Sequence, residues 1–249
     1  MYSIRLFLIY LTFVSNPFYL LLPSYILSFK GIRPLFLGLF FLSLFSCKTT
    51  KEVKDIDGNI YPTVKIGEQI WMQENLRVSH YQNGDLIPNM ANASRHNFVG
   101  VFFDYDNKAE NAKKYGHLYN WKAVKDKKGL CPCGWHVPSD AEWTTLVTNL
   151  GGDNTAGGKL AQLKDSVYKR MNVVGTENLS GFTGIMAGYR EQDGKFFHLN
   201  KGAFWWSSTE ASETGAWSRE INMNNLRVVR NQSSKAHGMS VRCIKDSKN

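Results

Sequence analysis

The stretch from Cys131 to Gly152, Cys-Pro-Cys-Gly-Trp-His-Val-Pro-Ser-Asp-Ala-Glu-Trp-Thr-Thr-Leu-Val-Thr-Asn-Leu-Gly-Gly, constrains the chain more than any other. It encodes a tight loop, a capped helix and a glycine stop in succession. Ser139 is placed to cap the helix, and Glu142, three residues on, can reach back to the Ser139 backbone N–H, forming a capping box. Trp143, Leu146, Val147 and Leu150 fall at i, i+3, i+4 and i+7, one apolar stripe at helical period. Gly151 and Gly152 supply the left-handed exit. The expected product is a short amphipathic helix pressed onto a core by a tryptophan.

The N-terminal 46 residues differ in composition from everything after them. Arg5, Lys30 and Arg33 are their only charges, set among runs of Leu, Phe, Ile and Tyr. Without them, 203 residues with a net charge of +6 remain from a chain of 249 residues and +9, enough for one sizeable core. Lys30 and Arg33, the apolar run Pro34–Phe45 and the small Ser46 are the parts of an export signal. Leu44-Phe-Ser-Cys47 resembles the lipobox of bacterial lipoproteins, which implies that Cys47 becomes the lipidated first residue. Residues 1–29 are then surplus to the signal. Leu6–Phe29 is long enough to span a bilayer, but Pro17 and Pro23 interrupt it. The segment is read as upstream sequence outside the true precursor. Lysines and arginines elsewhere are scattered among acids with no block of like charge, so no nucleic-acid partner is expected. The cysteines lie at 47, 131, 133 and 243. Cys131-Pro-Cys133 is too tight for the usual zinc pair and no partnering Cys/His pair follows, so export favours a disulfide reading.

Residues 47–54 read as a lipidated tether, 55–246 as the folded domain and 247–249 as a tail. Asp57-Gly-Asn59 and Gly67-Glu68 bound a partly alternating segment, predicting two short strands in a hairpin. Asp55 and Asp57 lack the third acid and distal glutamate of a calcium loop, so a plain turn is expected. Residues 88–112 read as a long polar excursion, with His80 and His96 solvated. Leu118, Trp121 and Val124 fit one helical face. After Gly152, Asn154 or Thr155 is placed to cap a second helix running through Leu160 and Leu163. Short strands are then expected between Gly181 and Arg190, and near Gly194–Leu199, Ala203–Thr209, Ala216–Ile221, Leu226–Arg230 and Gly238–Ile244. Short central helices with an irregular antiparallel sheet give an α+β fold class.

Several of these motifs together resemble one family. They include Asp57-Gly-Asn-x-Tyr61, Ile70-Trp71-Met72, Asn75-Leu76 and Tyr119-Asn120-Trp121. Cys131-Pro-x-Gly-Trp-His-Val-Pro-Ser-Asp-x-Glu-Trp143, Ala156-Gly-Gly-Lys-Leu160, Phe204-Trp-x-Ser-Ser-Thr209 and Ser240-Val-Arg-Cys-Ile-Lys245 join them. From about Asp55 to Asp246 the chain is similar to the Fibrobacter succinogenes major paralogous domain, common in secreted and lipid-anchored proteins of the Bacteroidetes. The family is in turn similar in pattern to the C-type-lectin-like fold and its formylglycine-generating relatives. The resemblance implies export, that fold and a disulfide between Cys131 and Cys243, but brings no established activity. A bridge closing 112 residues would stabilise by about 4–5 kcal/mol on the chain-entropy model. Cys133 departs from the family pattern, either as a free thiol or as a competitor for Cys243.

For function, no Gly-x-Ser-x-Gly, His-Glu-x-x-His or phosphate-binding glycine loop is present, and no catalysis, cofactor or metal is expected. Asp140 and Glu142 are accounted for by a helix N-terminus, and His136 by a hydrogen-bonded structural role. The binding reading rests on Trp205, Trp206, Trp217 and Tyr189, near Phe196 and Phe197, as rings able to stack on a glycan or a protein surface. The rival reading, implied by the formylglycine-generating resemblance, is a copper- and thiol-dependent oxidase using Cys131, Cys133 and Cys243. The absence of Glu-Pro-Asn and Gln-Pro-Asp argues against calcium-dependent sugar binding. The expected setting is the cell envelope, on the outer membrane through the lipid anchor.

Overall fold

The computed structural model describes residues 52–90, 99–163 and 178–247. The signal segment, Cys47, most of the tether and His96 lie outside the described residues. The first described element, strand β1 (Glu52–Lys54), lies in the stretch that the sequence reading assigned to the tether. A strand of Glu-Val-Lys is too short to show a period, yet Val53 packs against the core. Asp55 builds the following turn, accepting from the Asn59 backbone and side-chain nitrogens (both 2.9 Å) and from the Tyr61 hydroxyl (2.7 Å). The expected hairpin then forms from β2 (Ile60–Ile66) and β3 (Gln69–Met72). The C-terminal strand β12 (Ile244–Lys245) pairs with β3 through Trp71 and with β6 (Trp135–His136) through His136. The first sheet therefore runs β1-β2-β3-β12-β6, closing the two ends of the domain against each other.

The second sheet consists of β7 (Ala187–Arg190), β8 (Phe196–Leu199), β9 (Gly202–Glu210), β10 (Gly215–Asn222) and β11 (Val228–Ser234). Its order is β11-β10-β9-β7-β8. The α+β class stands, but the sheet is not wholly antiparallel: β7 and β9 run parallel, with Gly188 opposite Ala203.

Two sequence expectations between the sheets need correction. Val101, Phe102, Phe103 and Tyr105 are buried, so residues 88–112 are not merely a surface excursion. Phe102–Phe103 form β4 against β5 (Leu118–Tyr119). The predicted helical face of Leu118, Trp121 and Val124 is likewise split. Helix α1 (Glu110–Tyr115) ends at Gly116, Leu118 lies on a strand, and α2 (Trp121–Val124) starts afresh. Asn120 causes the restart. Its side-chain oxygen accepts from the Val101 and Ala123 N–H groups, tying β4 to the new helix start.

Helix α3 (Asp140–Asn149) has the expected capping box, and Trp143, Leu146 and Val147 face inward. Helix α4 (Asp153–Leu160) follows, with Gly152 at its N-cap in place of Asn154 or Thr155, and it stops before Leu163. A Cβ at Gly157 would lie 2.1 Å from the Leu226 carbonyl oxygen, so only glycine lets α4 approach that loop so closely.

Strand β9 divides the interior. Trp205 joins Trp71, Trp143 and Phe182 in one cluster, where neighbouring ring centroids lie 4.9–5.9 Å apart. Trp206 points the other way, into a cluster with Tyr61, Tyr119, Trp121 and Val241. Arg242 is wholly buried and serves as an internal tie. Its guanidinium donates to Asn75 Oδ1 and to the Met72, Phe182 and Thr183 carbonyls, and lies over the Phe182 ring at 4.4 Å. Beside it, Cys243 is bonded to Cys131, with their Cα atoms 6.0 Å apart. The bridge fixes the loop before β6 to the entry into β12, the pairing that the family resemblance implied. Among the described residues, no helix is long and apolar enough to cross a membrane.

Candidate functional site

On the face of the second sheet that carries Trp206, strand pairing aligns one row of side chains across all five strands. Phe197 on β8 opposes Tyr189 on β7. Tyr189 sits against Phe204 on β9, with ring centroids 4.7 Å apart. Phe204 opposes Glu220 on β10, which opposes Val229 on β11. Deeper along the same face, Trp206 and Ser218 are sealed by the interior. The row itself opens to solvent at its ends, where Phe197 is 36% and Val229 37% exposed.

The backbone shapes this face. His198 takes a left-handed φ of 62°, an unusual state for a side chain of its size. Its imidazole lies nearly parallel to the Tyr189 ring, 13° between planes and 5.9 Å between centroids. The His237 ring approaches Tyr189 from another side at 5.7 Å. Its Nδ1 is buried without a hydrogen-bond partner, and burial pulls the ring's pKa below the usual histidine value. The Tyr189 hydroxyl donates to Glu191 Oε1 at 3.0 Å. Burial first, and then Glu191, push its pKa up to about 12, so the phenol stays protonated near neutral pH. Asn231 Nδ2 holds Glu220 Oε2 at 2.9 Å. The result is a small aromatic patch, Tyr189 and Phe197 backed by buried Phe204 and edged by carboxylates. Such a surface stacks rings and apolar side chains while its carboxylates accept hydrogen bonds.

The other candidate residues separate sharply. Trp205 and Trp206 are 1% and 0% exposed, so neither presents a ring to a ligand, which corrects the sequence expectation for both. Their indole N–H groups are also spent, on Asn75 Oδ1 at 2.9 Å and on the Tyr119 carbonyl at 2.7 Å. The unbroken apolar run Ala203-Phe-Trp-Trp is the signal of a strand buried on both faces. Trp217 is half-buried on the opposite face of the sheet, with the Arg230 guanidinium over its ring at 3.2 Å. Arg230 also binds Asp140, so that ring face is already occupied. Tyr189 alone of the four lies on the open row. Phe196 points inward, packed on Tyr105 at 5.1 Å. His198, His237 and Glu220 were missed because only strand register and the turn at His198 bring them to Tyr189.

The polar groups weighed as chemistry have structural partners. His136 bridges two carboxylates, with Nε2 2.9 Å from Glu142 and Nδ1 2.6 Å from Asp246. Asp57 accepts from the Ser79 N–H and hydroxyl and pairs with His80 Nδ1. His80 is thus tied to the turn and not simply solvated. Cys133 is exposed and is the free thiol among the described residues. With Cys131 and Cys243 bonded to each other, the pair of thiolates that a copper site would use is not assembled.

A family model described as the Fibrobacter succinogenes major domain matches residues 64–245. No curated protein and no solved structure matches the chain. A match spanning almost the whole described domain, over the same motifs that build its sheets, core and disulfide, places the chain in the Fibrobacter succinogenes major domain family.

Proposed function

We propose that the protein is a lipid-anchored component of the cell envelope, held at the outer membrane through acylated Cys47, and that its domain is a non-catalytic recognition module. The ligand class is a glycan or a surface protein. The observation that carries this reading is the row Phe197–Tyr189–Phe204–Glu220–Val229, in which buried Phe204 backs the half-buried Tyr189 and Glu220 and the exposed Phe197 and Val229. The finer fold assignment, a C-type-lectin-like domain, is supported by the terminal strands meeting in one sheet and by the helices lying between the two sheets in sequence. Since recognition is a common use of many scaffolds, the site and not the fold supports the function.

The test is a glycan and peptidoglycan array probed with soluble 48–249 protein, alongside the Tyr189→Ala/Phe197→Ala variant. Binding that falls at least about tenfold in the variant, as expected for loss of stacked rings at about 1 kcal/mol or more each, supports the reading. Equal binding by both proteins would move the site elsewhere. Turnover of any arrayed compound would end the non-catalytic reading.

A further inference from the structure

We infer that the surface carrying Ile56, Ile60 and Leu86 is a lipid-contacting face, resting on the headgroups of the membrane that holds the chain. The inference rests on acylation at Cys47 as proposed above. Four residues, Lys48-Thr-Thr-Lys51, separate Cys47 from β1, and at full extension that connection reaches about 17 Å. A domain on so short a leash keeps the surface around β1 against the bilayer.

That surface suits the contact. Ile56 and Ile60 are each 50% exposed and Leu86 65%, among the most exposed large apolar side chains described. They belong to one neighbourhood. Lys54 opposes Ile60 in the strand register, Lys54, Ile56 and His80 line one cavity of about 390 Å³, and His80 bridges to Leu86. The local acids have polar partners. Asp57 is tied to Ser79 and His80, and Asp85 pairs with Lys128 at 2.9 Å. Residues 48–54 carry three lysines against one glutamate. Apolar side chains flanked by lysines match an acyl–headgroup boundary with anionic lipid.

Cys133 lines the same cavity, and its free thiol provides the probe. The acylated protein, carrying an environment-sensitive fluorophore on Cys133, is reconstituted into vesicles of phosphatidylethanolamine and phosphatidylglycerol. The expected result is a blue shift with strong quenching by headgroup-level spin-labelled lipid. Both should be lost in Ile56→Ser/Ile60→Ser/Leu86→Ser, a variant of exposed positions. A label in the same protein at Lys201→Cys, on a Cys133→Ser background, should remain unquenched. No shift at Cys133, or the same shift in the triple variant, overturns the inference. Mass measurement of Cys47 separates the two readings. If Cys47 is unmodified, the anchor proposal fails, and vesicle flotation of the soluble 48–249 chain decides the face alone. Flotation lost in the triple variant upholds it, and no flotation overturns it.

Discussion

His136 shows how a residue with catalytic chemistry is consumed by architecture. Its hydrogen bond to Glu142, and secondarily that to Asp246, raise its pKa to about 9 despite partial burial. Burial alone would raise the Glu142 carboxyl, but His136 and the Ser139 N–H and hydroxyl outweigh it and lower the pKa to about 2. The histidine's contribution is complete below its usual 6.5 and is lost as pH rises through about 9. The glutamate's is complete above 4.5 and is lost as pH falls through about 2. His136→Gln should therefore destabilise most between about pH 4.5 and 6.5, with the gap from wild type narrowing toward pH 9. For a pair this exposed the effect is about 1 kcal/mol or less. Urea titrations across that range check it, and a gap that widens above pH 7 would contradict the protonated bridge. Arg242 makes the larger claim. Arg242→Met leaves the buried Met72 and Phe182 carbonyls and the half-buried Thr183 carbonyl without this donor, and Asn75 Oδ1 with only the Trp205 N–H, and should cost about 3 kcal/mol or more. Denaturation with little loss would show that the tie is dispensable.

At the scale of elements, α3 is where the sequence reading was strongest. A capping box, an apolar stripe and a glycine stop are local signals, and each appears at the expected residues. Asp140 illustrates what local signals omit. Beyond its place in the first turn, it binds Arg219 at 2.7 Å and Arg230 at 2.9 Å, from β10 and β11. Burial works against its ionised form, but the two guanidiniums prevail and hold its pKa below the usual carboxylate value. Ser139→Ala should cost about 1 kcal/mol, the value of a cap. Asp140→Ala should cost more, about 3 kcal/mol, because Arg219, 3% exposed, loses its carboxylate. Parallel urea curves decide the order, and a larger loss at Ser139 would reverse the assignment. The misread helical face fails for a physical reason. Leu118, Trp121 and Val124 fit helical spacing, but the long-range bonds of Asn120 break that helix. Trp205 and Trp206 are a different case: the apolar run Ala203-Phe-Trp-Trp signals their burial locally, and the sequence reading passed over it.

For the whole molecule, local patterns foretold the α+β class and most strands, while family motifs supplied the disulfide. Which side of the second sheet remains open depends on the register of five strands drawn from residues 187–234, and no local pattern carries that. The candidate face was therefore legible only at Tyr189 and Phe197. The central proposal is that the chain is delivered to an oxidising envelope, where three of its four cysteines, Cys47, Cys131 and Cys243, go to an anchor and a structural bridge. Thiol titration of the mature protein isolated from membranes, followed by non-reducing peptide mapping, tests it most directly. The account predicts one titratable thiol, at Cys133, and a Cys131–Cys243 crosslinked peptide. Three reduced thiols, or Cys133 found bonded to Cys243, would contradict it.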